Sequence, residues 1–341
     1  MKVFYSSTRQ GVAPAVDRLL EALRWTEVIP AGEDVLLKVN LTWDFVRPGV
    51  NTSPWVVEAI ARRLSTRCGT IYIGESSQVL VNATRAFAVT RMKDVADRNG
   101  LVWHNFSEND WERVRIDGLE FGIPAICLRM PVVSVPVVKT HYRTGISVAL
   151  KNLYGCLDDN RHNYHYRLAD YAAAVNRAIP VAFTVADGTV SLEGSGPKPG
   201  IPKQTDFLAG SRDRVALDRS LTGVMGLDPG SVELTDRAEG IAGSSRELEE
   251  VPLPPLEGLP SFSFRKAEPN FVARVEGRLR GRTGTGAPPK DGPFMGLLKT
   301  GAKRWYRIAY HLLGQGREAR DWIEHSVYGP QWAGMPEEPR R

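Results

Sequence analysis

Read for the spacing of its apolar positions, the chain alternates between two periods. Short β-branched runs recur at 2–6 (KVFYS), 35–40 (VLLKVN), 70–75 (TIYIGE), 101–106 (LVWHNF), 132–138 (VVSVPVV) and 181–188 (VAFTVADG), with turn residues near their ends. Between several of them lie stretches with apolar residues three and four apart, at 13–24, 54–65, 84–98, 143–154 and 168–178. The alternation predicts an α/β fold, a mainly parallel, Rossmann-like sheet flanked by helices on both faces. Pro54 suits the first turn of a helix, where its missing N–H is not needed, and Thr52 or Ser53 can cap that turn. In open sheets of this kind the loops leaving the C-terminal strand ends build the binding crevice, so polar residues in those loops are the candidates for chemistry.

The pattern changes near residue 250, where VPLPPLEGLP reads as a proline-rich spacer and RGRTGTGAPPKDGP at 280–293 as a loop. This divides the chain into an α/β core at 1–255 and a proline- and glycine-interrupted basic helical tail at 256–341. The formal charge is +5, and residues 261–341 alone carry 15 Lys/Arg against 8 Asp/Glu, so the basicity belongs to the tail. Within FMGLLKTGAKRWYRIAYHLL, residues Phe294, Leu297, Leu298, Trp305, Ile308, Ala309 and Leu312 approximate one apolar stripe. The stripe predicts a helix docked on its own domain or on a second copy of the chain, as in a homo-oligomer, in preference to a membrane surface. The tail is basic and aromatic, yet the chain carries no nucleic-acid-binding module, so no specific nucleic-acid partner is expected.

Composition narrows the class further. A chain of 341 residues with 42% hydrophobic content can fill a sizeable core. The N-terminus lacks the apolar stretch of a signal peptide, and runs such as PVVSVPVV are too short to cross a bilayer, so a cytoplasmic protein is expected. Cys68, Cys127 and Cys156 lie outside any CxxC spacing, which predicts neither a disulfide framework nor an iron–sulfur cluster.

Four stretches at expected strand ends or loops are rich in polar residues. NLTWDFVRPGVNTSP (40–54) supplies Asn40, Asp44, Arg47 and Thr52 ahead of a helix, and an arginine fork beside a helix N-terminus suits a carboxylate or phosphate; a simple Asp44–Arg47 ion pair is the plainer reading. GESSQ (74–78) offers Glu75 and Ser76, which can equally serve a helix start. In VVKTHYRTGISVALKNLYG, Lys139 and His141 follow a strand, and Lys151 and Asn152 interrupt the apolar face of a segment with the period of a buried helix. Lys151 can snorkel to solvent or stand at the crevice rim, able to hold an anion or form a covalent adduct. In RHNYHYR (161–167), His162 and His165 are three apart, as paired metal ligands on one helical turn often are, so a divalent metal is a candidate cofactor. EGSGPKPGIP (193–202) has GxGxxxG spacing with prolines inside, departs from the dinucleotide fingerprint, and reads as a shaped surface or active-site loop.

Taken together, KVNLTWDFVRPGVNTSPWVVEAIARRL, IGESS, VPVVKTHYRTGISVALKNLYGCL, ADGTVSLEGSGPKPG and LAGSRDRVALDRSLTGVMGLDP resemble the bacterial and archaeal family catalogued as domain of unknown function 362, over about residues 1–250. Some members of that family are fused to iron–sulfur modules, whose cysteines this chain lacks. The Asp-x-x-Arg-Pro pattern at Asp44–Pro48 and the ten-residue interval from His141 to Lys151 are also similar, more distantly, to the N-terminal half of nickel-pincer lactate racemases. That likeness implies Arg47 holding a substrate carboxylate, His141 as acid/base and Lys151 tethering the cofactor, with His162 or His165 near the place of the nickel ligand. The chain departs from it where those enzymes have a second catalytic histidine, since GESSQ stands there, and where a double glycine precedes their lysine.

The expectation is therefore an enzyme of isomerase or lyase type acting by proton transfer on a small anionic metabolite resembling a hydroxy or keto acid. His141, Lys151 and Lys139 would be catalytic, and Asn40, Asp44, Arg47, Glu75, Ser76 and Asn152 would bind substrate. Redox chemistry is the runner-up, and a cofactor- or nucleotide-binding accessory protein without turnover is the alternative of a different class.

Overall fold

The computed structural model describes residues 1–269, 274, 293–312 and 314–333. Its strands are β1 (Lys2–Ser7), β2 (Val35–Lys38), β3 (Ile71–Glu75), β4 (Val102–Asn105), β5 (Trp111–Ile116), β6 (Leu119–Pro124), β7 (Val132–Ser134), β8 (Val137–His141), β9 (Gly145–Ser147), β10 (Val181–Glu193), β11 (Ile201–Ser211) and β12 (Glu249–Pro252). The large sheet runs β12-β1-β11-β10-β7-β2-β3-β4, with β8 joined to β10 and β9. The β10, β7, β2, β3 and β4 neighbours are all parallel, whereas β11 runs antiparallel to both β1 and β10. The fold is thus a mostly parallel α/β sheet flanked by helices, with further helices at the C-terminal end.

All four residues of β2, VLLK, are buried, as expected of a central strand covered on both faces. The register sets Lys38 opposite Gly74 of β3 and Ser134 of β7, so the polar ends of three parallel strands lie side by side. Apolar side chains divide into two clusters. One gathers Val16, Leu19 and Leu20 of the helix at Val12–Ala22 and Val56, Val57 and Ile60 of the helix at Pro54–Leu64; the other gathers Leu150, Leu153, Val175, Leu217 and Leu221 from later helices.

Two expectations need correction, and one element was not anticipated. The 143–154 segment is not one helix: Gly145, at φ 73, returns the chain so that β9 pairs antiparallel with β8, and helix forms only over Ala149–Leu153. Ile146 is β-branched and sits readily on a pleated strand, which outweighs the helical spacing of the apolar positions. The 84–98 segment is two helices, Ala83–Val89 and Met92–Asn99, broken where Arg91 takes a left-handed conformation at φ 66. Finally, β5 and β6 form a separate hairpin whose two-residue turn, Asp117-Gly118, has φ 49 and φ 78. The Asp-Gly pair between alternating residues was its available signal.

The tail stripe is also displaced. Trp305, Ile308 and Leu312 are 38%, 43% and 75% exposed, while Ala309 is buried. Tyr306 and Tyr310 meet Trp43 edge-on, Tyr310 stacks on Phe45 with centroids 4.6 Å apart, and the Tyr310 hydroxyl donates to the Val46 carbonyl at 2.9 Å. The docked face is thus turned by about one residue, or roughly 100°, from the apolar stripe, because the loop aromatics select aromatic partners with a polar tip. The side chains of 293–299, including Phe294, Leu297 and Leu298, lie outside the described residues. Farther along, Tyr328 and Trp332 are buried within the first core cluster.

Candidate functional site

At the C-terminal end of β2, Lys38 turns its ammonium group inward. It donates to the Val39 carbonyl at 2.7 Å and to Glu75 Oε2 at 3.0 Å, with Asn152 Oδ1 at 3.5 Å. Glu75, which ends β3, also accepts from the Leu41 N–H at 3.1 Å and the Ser76 N–H at 2.8 Å. A buried ion pair needs this degree of hydrogen bonding to offset desolvation. Asn152, on the short helix, donates to the Lys38 carbonyl at 3.2 Å and to Ser134 Oγ at 3.0 Å, tying β2, β7 and the helix together. Ser76 bonds its hydroxyl to the Gly155 carbonyl at 2.6 Å, which closes the same knot from β3.

Lys139 of β8 forms a second knot. Its Nζ donates to Asn40 Oδ1 at 2.7 Å, Thr42 Oγ1 at 3.0 Å and the Val50 carbonyl at 2.8 Å, so all three ammonium protons have acceptors. Burial, and then the charges of Lys151, Lys198 and Lys38 against the opposing Glu75, hold its pKa well below the usual lysine range. Asn40 Nδ2 lies 3.4 Å from Asn152 Oδ1 and joins the two knots.

His141, the last residue of β8, is buried, and its Nδ1 accepts the Arg143 N–H at 3.1 Å. With Nδ1 occupied as acceptor, a neutral ring carries its proton on Nε2. Neutrality is favoured because burial, reinforced by Lys151, Lys139 and Arg143, pushes the imidazole pKa well below its ordinary value.

Lys151 is half-buried, with its Nζ 4.2 Å from the centroid of the Tyr154 ring. Among the described residues it makes no hydrogen bond or ion pair. Burial, with Arg161 and Arg143 adding positive charge, brings its pKa down to about 7. The backbone that carries it is held by Asp218, whose carboxylate accepts the Ala149 N–H at 2.7 Å and the Leu150 N–H at 3.1 Å, satisfying the first donors of the helix.

The remaining candidates lie around this centre. Asp44 pairs with Arg85 at 3.4 Å, so the simple Asp44–Arg47 ion pair does not form. Arg47 is spoken for by protein groups: it donates to the Gly200 carbonyl at 2.8 Å, the Gln315 carbonyl at 3.1 Å and Glu318 Oε2 at 2.9 Å, linking the 40–54 loop to the helix at Gln315–His325. His162 and His165 face each other with ring centroids 5.4 Å apart, and His165 stacks on Tyr154, the ring that Lys151 touches.

The histidine pair falls short of a metal centre built from protein ligands. Among the described residues no group of three or more His, Cys, Asp and Glu is placed to hold an ion, and two imidazoles leave at least one donor of a usual divalent site unsupplied. No chemical step is therefore assigned to a metal here. Cys127 and Cys156 are buried thiols with sulfurs 3.9 Å apart.

The sequence reading passed over Lys38, Ser134, Asp218 and Lys198. For Lys38 a signal was present, since a lysine inside the apolar run VLLKVN is anomalous for a strand buried on both faces. Asp218 gave none, because its partners are backbone groups about 70 residues away.

Comparison with known proteins names no activity. The chain is 28% identical over 225 residues to a thylakoid-associated protein of the cyanobacterium Synechocystis sp., the match covering 60% of this chain and 66% of that one, just under two thirds of its length. A crystal structure of a Thermotoga maritima protein is similar over 55% of this chain and 53% of that chain, with a TM-score of 0.35 and 12% identity. No described helix is long and apolar enough to cross a membrane. The profile of the family described as "Domain of unknown function (DUF362)" matches residues 35–222, more than half of the chain, and the protein belongs to that family.

Proposed function

We propose that the chain is an enzyme that moves a proton on a small organic anion of the hydroxy- or keto-acid kind, bound at the ends of β2, β3 and β8. The observation that carries the reading is the contrast between Lys151 and its neighbours. Lys38 and Lys139 have their ammonium protons engaged by the protein, whereas Lys151 presents a half-buried amine with no acceptor among the described residues. An amine in that setting, with a pKa near the working pH, is suited to act as a general base.

In this reading neutral Lys151 takes a proton from the carbon beside the carboxylate of a 2-hydroxy acid, or from the carbon beside the keto group of a 2-oxo acid. The electron pair left behind moves onto the adjacent oxygen, and the neutral His141 ring, through Nε2–H, meets the charge that develops there. The buried Lys38–Glu75 pair serves as the rigid floor of the site. Delivery of a proton to the opposite face of that carbon completes an isomerisation; departure of a group from the neighbouring carbon with its bonding electron pair, as the carbanion's pair forms the double bond, completes an elimination.

A second reading, a binding protein without turnover, draws on the internal satisfaction of Asn40, Glu75, Lys139 and Asn152, which leaves few groups free to work on a substrate. Incubation of the full chain with a panel of 2-hydroxy and 2-oxo acids in deuterated water separates the two. Proton NMR should show deuterium entering a carbon-bound position with the native chain and not with Lys151→Met. Ligand binding with no exchange at any pH from 6 to 9 would establish the binding protein instead.

A further inference from the structure

A second lysine shares the condition of Lys151. Lys198 lies in the glycine- and proline-rich loop between β10 and β11 and is only 8% exposed. Its Nζ lies 5.7 Å from the centroid of the Tyr306 ring, and among the described residues it has no hydrogen bond or ion pair. Asp44 acts on it only at a distance and is itself paired with Arg85. Nearby Lys203 is an informative contrast, because it is engaged by Glu193 at 2.9 Å and by the Ser263 carbonyl at 3.2 Å.

The loop that carries Lys198 is fastened to the end of β8. Thr140 Oγ1 donates to the Gly194 carbonyl at 2.9 Å, and the Tyr142 N–H reaches the Gly196 carbonyl at 3.4 Å. Any Cβ at Gly196 would strike the Thr140 carbonyl, so the glycine is what lets the loop lie against this strand. Lys139, on that strand, feels the charge of both Lys151 and Lys198. Two buried or half-buried amines without acceptors among the described residues thus both act electrostatically on one fully satisfied lysine.

From this arrangement we infer that the site takes an organic dianion whose reacting end lies against Lys151 and whose second anionic group meets Lys198, with Lys198 the residue that selects for the second charge. This rests on the proposed substrate site at Lys151 and adds its substrate class. A buried ammonium without a counter-charge is costly, and the second anionic group would supply the partner that Lys198 lacks among the described residues. Lys198 is held down to a pKa of about 8, chiefly by burial, and an anion beside it would raise that value. The second group can be a carboxylate or a phosphate, since either accepts from an ammonium.

The test compares matched probes on the full chain by isothermal titration: propionate against succinate, and glycolate against phosphoglycolate. At least one dianion should bind ten-fold or more tightly than its monoanion, and that ratio should collapse toward one in Lys198→Met but persist in Lys203→Met. A dicarboxylate advantage without a phosphoglycolate advantage, or the reverse, identifies the second group. Equal binding of each pair by the native chain would overturn the inference. Because Lys198→Met could disturb the loop, amine acetylation of the native chain followed by peptide mass spectrometry supplies an independent reading. Succinate or phosphoglycolate should protect Lys151 and Lys198 together. Protection of Lys151 alone would sink the dianion while leaving the proposed function standing, and protection of neither lysine by any of the four probes would sink both.

Discussion

Lys38 Nζ and Glu75 Oε2 lie 3.0 Å apart with side chains 0% and 3% exposed, at adjacent C-terminal ends of two parallel strands. Neither charge can be relieved by water if its partner is removed. Lys38→Met should therefore lower unfolding free energy by about 3–5 kcal/mol. The double variant Lys38→Met/Glu75→Leu should lose less than that single change. Urea denaturation of the four forms measures the coupling; strictly additive losses would show that the two side chains do not act as a pair.

The amine of Lys151 predicts a pH dependence of stability. Its ordinary value is 10.5 and its folded value about 7. Between these limits the unfolded chain holds the proton and the folded chain does not, so stability rises with pH across the window and is lost as pH falls through about 7. The slope from this group is at most about 1.4 kcal/mol per pH unit. Denaturation midpoints from pH 6.5 to 9.5 should rise more steeply for the native chain than for Lys151→Met, which should remain folded.

Asp218 predicts the opposite sign. Burial raises its carboxyl from 3.8 to about 7, opposed by the Ala149 and Leu150 N–H groups and by Arg214. The folded chain then holds the extra proton between those values, so this group's contribution is fully present below 3.8 and is lost as pH rises through about 7. Asp218→Ala leaves both helix donors without a partner and should cost about 0.5–2 kcal/mol, the usual range for a lost cap. Asp218→Asn keeps one acceptor and should cost less while removing the decline between pH 4 and 7. Thermal melts at pH 5 and 7 check both statements.

Trp332 is 4% exposed within the core cluster that includes Leu37 and Val133 of the sheet. Trp332→Ala should cost about 3–5 kcal/mol, as for other buried tryptophans, and unfold in one transition. Removing the chain after Pro260 should likewise uncover Trp43 and Phe45 and reduce solubility. A truncated chain that melts at the native temperature and stays monomeric in solution would show the tail contacts to be dispensable.

The alternation of buried strands and amphipathic helices is legible in the residue order, because it follows from periodicities of two and 3.6 that are local. The residue order also placed polar residues at strand ends, and Asn40, Glu75, Lys139 and Asn152 do meet there. Only the tertiary structure decided which polar groups already have partners. Arg47 reads as an anion clamp in its own loop, yet its fork is filled by Gly200, Gln315 and Glu318, residues at least 150 positions away. Lys198 reads as part of a shaped surface or active-site loop, and it is buried where the 194–200 loop folds back on β8 and Tyr306 comes from the tail. Hydrogen-bond satisfaction and desolvation belong to the assembled interior, where residues distant in sequence supply or withhold the partner, so no local pattern encodes which lysines remain unpaired.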